Sequence, residues 1–178
     1  MRLVEEILGV TKRATQLVSG RPVEFLAARP QPGRWSVAEC LDHLARTTEV
    51  FLPSIAAAIA SAPGPTANRR LRAGTVASLL MRSLEPPYRL KHKVPARLAP
   101  QNQDFPLAWS TFLNSQVHLL RAVRSAGGFA IDVVKIKSPV CARVSYNAFG
   151  ALGILAVHER RHLWQAEQTL KALDRPAA

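Results

Sequence analysis

The sequence predicts an all-α protein, an antiparallel four-helix bundle with long crossover connections, and three observations carry that reading. Alanine and leucine are plentiful while β-branched residues are thinly spread, which favours helices over a β-sandwich. Four long stretches repeat apolar residues at helical spacing, and connections rich in Pro and Gly separate them. The 178 residues are 48% apolar, enough to close one core, so the whole of 1–178 reads as a single domain.

The first helix is expected from about Arg2 to Ser19, with Gly20 as its stop. The second has the clearest start. Ser36 and Glu39 have capping-box spacing, in which the Ser hydroxyl accepts from the Glu39 N–H and the Glu side chain reaches back. Trp35 precedes the cap, where an apolar ring can pack on the first turn. This helix is expected to reach about Ala60, where Ala62-Pro63-Gly64-Pro65 ends it, and to bend at Pro53. A short helix is expected over Leu71–Ser83. Pro86, Pro87, Pro95, Pro100 and Pro106 then exclude a regular helix, so 84–104 is either a crossover or a lid over one end of the bundle. The third long helix is expected from near Pro106 to Ser125, with Trp109, Phe112, Leu113, Gln116, Leu120 and Val123 as its inner stripe, stopped by Gly127-Gly128. Residues 129–145 read as extended. The last helix is expected from about Asn147 to Leu173.

Charge and cysteine usage limit the function classes. The net charge is +12. Residues 69–97 hold eight cations against Glu85 alone, a local charge of +7. Such a run is ordinarily a solvated surface, though it could attract an anionic substrate or partner. No zinc-finger cysteine pairs and no aromatic RNA-binding strands accompany it, which argues against a nucleic-acid module. Cys40 and Cys141 are too few for a disulfide framework. Early acidic residues argue against a secretory signal, and no apolar run approaches the ~20 residues of a membrane span, so a cytoplasmic protein is expected. A helix face could pair two copies in a homodimer, but no stripe demands it.

The histidines are the chemical lead. His158 and His162 stand at i and i+4, roughly 6 Å apart along one helix face. Asn147, Ala151, Ile154, Leu155, Gln165, Ala166 and Thr169 share that face, which points it inward. Two buried imidazoles need partners, and either hydrogen bonds or a metal ion would supply them. A zinc-type site needs a further ligand, for which His43 on the second helix is the candidate. His43 lies off the centre of its helix's stripe of Val37, Leu41, Leu44, Thr48, Leu52, Ile55 and Ile59, so spacing alone gives it little support. His118 falls opposite the stripe of its helix, and His92 sits between two lysines; both are expected at the surface. His158-Glu159-Arg160-Arg161-His162 matches the HExxH pattern of zinc proteases, in which Glu159 would be a general base. The usual downstream third ligand and the supporting sheet are missing, so that reading is set aside. No phosphate-binding loop and no nucleophile elbow is present.

Taken together, Arg34-Trp35-Ser36-Val37-Ala38-Glu39-Cys40-Leu41-Asp42-His43-Leu44 and His158-Glu159-Arg160-Arg161-His162-Leu163-Trp164-Gln165 resemble the DinB-like superfamily of bacterial four-helix metalloproteins. The resemblance extends from about residue 20 to 172. It implies that His43, His158 and His162 bind one nickel- or zinc-like divalent ion at one end of the bundle. It further implies a metal-dependent hydrolase or a transferase using a low-molecular-weight thiol as cosubstrate, although fold likeness does not fix the reaction. Three neutral imidazoles leave the ion's charge and an open position available, where a water or a substrate thiol becomes more acidic. Glu39 and Gln165 could orient the ligand imidazoles by hydrogen bonding, and the capping box is the competing role for Glu39. The alternative is a non-catalytic binding module, with the metal as a structural clip and the basic face as a docking surface.

Overall fold

The computed structural model describes residues 2–64, 70–87, 93–101 and 104–175. Four long helices carry the fold: α1 (Arg2–Val18), α3 (Val37–Ser61), α5 (Phe105–Ser125) and α6 (Ala148–Leu173). Two short ones, α2 (Val23–Ala27) and α4 (Gly74–Leu84), lie in the connections, and a 3-10 turn covers Ala96–Leu98. The long helices match the sequence expectation to within a residue or two. Neither α2 nor the 3-10 turn is legible in the sequence, because five and three residues are too short to show a helical period. Of the expected extended segment 129–145, only β1 (Lys135–Lys137) and Ser145, the first residue of its antiparallel partner β2 (Ser145–Asn147), are strand.

Local signals set the helix ends. The Ser36–Glu39 capping box is complete in both directions. Asp104 caps α5 through the Leu107 N–H, and Asn147 caps α6 through the Gly150 N–H. Helix α3 runs unbroken through Pro53, which faces solvent. On α5 the buried residues are Phe105, Ala108, Phe112, Ser115, Gln116 and Leu119. That inner stripe is rotated slightly from the expected one, with Leu119 fully buried and Leu120 on the flank, because α3 covers more of α5 than α1 does.

Helix α3 packs between α5 and α6, and α1 closes the bundle against the same two. Side-chain contacts give the helix directions. Thr169 near the end of α6 bonds the carbonyl of Trp35 at the start of α3, so these two run antiparallel. Arg160–Glu6 and Arg13–Glu167 tie α6 to α1 in parallel. The start of α5 joins the start of α3 in one apolar cluster, so that pair is also parallel; the crossover through α4 makes this possible.

The core has two apolar clusters. One centres on Phe51, Ile55, Leu119, Leu152 and Leu155, and the other on Leu41, Leu44, Phe112, Leu163 and Leu170. Between them a layer of buried polar side chains crosses the bundle: Thr47 and Thr48 on α3, Ser115 and Gln116 on α5, Glu159 and His162 on α6. Buried polar groups are costly, so a concentrated layer of them calls for a chemical explanation.

Candidate metal centre

Helices α3 and α6 each bring histidine into this layer. On α6 the i, i+4 spacing places His158 and His162 one turn apart, with ring centroids 4.5 Å from each other. From α3, His43 meets both, at 5.0 Å from His158 and 4.5 Å from His162. One ring nitrogen of each lies within 4.8 Å of the other two, so the three form a group that could hold a metal ion. His43 is 2% exposed and His162 6%, with His158 half-buried. The apolar stripe underrated His43 because the first half of α3 is enclosed on nearly every face.

The partners of these rings fix which nitrogen is available. His43 Nδ1 lies 2.6 Å from the Leu98 carbonyl, which can only accept, so Nδ1 carries the proton and Nε2 keeps its lone pair. That Nε2 is 3.2 Å from His158 Nε2. Two nitrogens bound tetrahedrally to one zinc-like ion stand about 3.3 Å apart, so the separation suits a shared ion. His162 Nδ1 is buried with no hydrogen-bond partner among the described residues. Burial lowers the pKa of His43 against the opposing pull of Leu98 and Asp42. It lowers that of His162 much further, helped by His158, His43 and Arg161. Neutral imidazoles are the metal-binding form.

Neighbouring residues complete the walls. Trp35, expected only to pack on the first turn of α3, stacks on His162 at 5.6 Å and lies 5.0 Å from His43. The segment after α4 supplies the Leu98 carbonyl and is held down where Asp42 accepts from the Gln101 N–H at 2.8 Å. This segment thereby also covers the histidine layer.

Glu39 does not reach His43. Its carboxylate accepts from the Ser36 N–H and from Arg29, which occupies both oxygens. Burial would raise the Glu39 pKa, but the bonds from Arg29 and Ser36 outweigh it and hold the group below its ordinary value. Leu98 takes the orienting position instead, a role invisible in the sequence because any residue offers a carbonyl. Gln165 lies beside His162, where its amide favours the protonated ring. Glu159, the base of the discarded protease pattern, is fully buried away from the cavity and accepts from Gln116 Nε2 at 2.6 Å. His118 is exposed and bonds Glu49. His92 lies outside the described residues.

The cluster opens into a cavity of about 480 Å³. Phe51, Leu80, Leu84, Val144, Ile154 and Leu155 give it apolar walls, and Thr47, Arg161 and the exposed thiol of Cys141 also face it. Both cysteines are free; Cys40 is sealed in the core, and burial pushes its thiol pKa up.

A helical bundle with three converging histidines at the wall of a ligand-sized cavity defines a class of protein built around a metal-ready centre. A family model for the DinB superfamily matches residues 7–166, and the chain belongs to that superfamily. No curated protein and no solved structure matches the chain significantly. No helix among the described residues is long and apolar enough to cross a membrane.

Proposed function

We propose that the protein is a metal-dependent enzyme in which His43, His158 and His162 hold one divalent ion, nickel or zinc. The observation that carries this reading is the convergence of three imidazoles on the wall of a substrate-sized cavity, with burial lowering the pKa of His43 and His162. A purely structural clip has no need of such a cavity. Bound there, the ion would supply Lewis acidity and make a water or thiol at its open position more acidic.

The chain's own residues do the rest. Leu98 fixes the tautomer of His43, and Trp35 shields the rings from solvent. The apolar walls exclude bulk water and strengthen the electrostatics of the site. This arrangement supports two reactions on a small-molecule substrate, hydrolysis and S-transfer with a low-molecular-weight thiol as cosubstrate.

Elemental analysis of protein purified without added metal tests the centre. About one nickel or zinc per chain is expected in the wild type, and a loss of most of it in His158→Ala and His162→Ala. A wild type that takes up no metal after reconstitution sinks the reading. Activity screens on the loaded protein, with thiol cosubstrate and without, then separate transfer from hydrolysis.

A further inference from the structure

The charge of the cavity is one-sided. Arg34, Lys93 and Arg161 line it, and no Asp or Glu does among the described residues. Arg34 and Lys93 are exposed, whereas Arg161 is only 5% exposed. Arg161 precedes His162 on α6 and lies close enough to depress its pKa. Its guanidinium sits between α6 and α4, with one N–H directed at the Ser83 carbonyl 3.4 Å away. Two surface cations at the cavity and one buried cation inside it would draw in an anion and repel a cation. A guanidinium matches the planar fork of a carboxylate.

Thr47 lies one turn along α3 from His43, is buried, and lines the same space. Its hydroxyl has no hydrogen-bond partner among the described residues. That oxygen is sealed within the wall, so Thr47 lines the cavity through its other atoms. The remaining surface is mostly aliphatic and aromatic, so the ligand body must be apolar.

We propose that the cavity selects an apolar carboxylic acid in its ionised form. Arg161 holds the carboxylate, and the Phe51–Leu155 wall takes the hydrocarbon. Arg161 is thus a specificity-determining residue. The proposal deepens the metal-enzyme reading by naming its substrate class, and it rests on that reading only for where reaction would occur.

Calorimetric titration of the protein as purified, with octanoate and with its uncharged analogue octanamide, tests this. Octanoate should bind about tenfold or more tightly than the amide, as a charge-assisted pair predicts. Arg161→Met should abolish that preference while leaving the metal content unchanged. Arg161→Lys keeps the charge for the case in which the Met variant does not fold, and it should retain part of the preference. Equal binding of acid and amide by the wild type, or a preference that survives Arg161→Met, overturns the proposal. A protein without metal that keeps an Arg161-dependent preference removes the metal reading and leaves this one standing. A metal-replete protein with no preference does the reverse.

Discussion

His158 and Glu159 are neighbours in sequence and opposite in environment. The first faces the cavity; the second is fully buried and bonded to Gln116. Burial lifts the Glu159 carboxyl from 4.5 to about 7. Below pH 4.5 the folded and unfolded chains both hold this proton. Between 4.5 and about 7 only the folded chain holds it, so this group's contribution to stability falls as pH rises, and the full cost is present above pH 7. Glu159→Gln removes that titration. Its stability relative to wild type should therefore rise across the window by about 3 kcal/mol and then level off. Chemical denaturation of both proteins at pH 5 and pH 8 measures it, and a difference that does not change with pH refutes it. At this scale the sequence is clear about identity and spacing but weak about surroundings. The i, i+4 pair was legible because helix geometry alone brings those two rings together. The enclosure of His43, the stacking of Trp35 and the inward place of Arg161 were not legible, since each depends on a neighbour distant in sequence.

Elements were the most legible level. Capping residues and apolar period act within a turn or two, so the four long helices could be placed from local signals. The short helices needed tertiary contacts to exist. Helix α4 persists because it packs on α6 at Gly150. A Cβ there would lie 2.5 Å from the Ala77 Cβ and 2.7 Å from the Ala73 carbonyl oxygen. Gly150→Ala should therefore push α4 outward and cost roughly 1–3 kcal/mol, despite the better helix propensity of alanine. Leu80, Ser83 and Leu84 of α4 wall the cavity, so the same variant should bind cavity ligands more weakly. A melting temperature at or above that of the wild type would contradict this account.

For the whole molecule, the two apolar clusters contain none of the three histidines. The fold should survive chelation, and the ion should add stability by mass action. At free metal about 100-fold above Kd the gain is about 2.7 kcal/mol, a rise in Tm of roughly 5–10 °C for a chain of this size. Thermal melts with and without chelator measure it; unfolding on chelation would make the ion a structural clip. By itself the sequence determined an all-α bundle, the bounds of its long helices and the histidine pair of α6, because those features follow from interactions within a few residues. Only the tertiary structure decided that His43 completes the group, that Leu98 rather than Glu39 orients it, and that Arg161 and Thr47 face a shared cavity. Those relations join residues up to 119 positions apart, from His43 to His162, and no local pattern encodes a contact across the bundle.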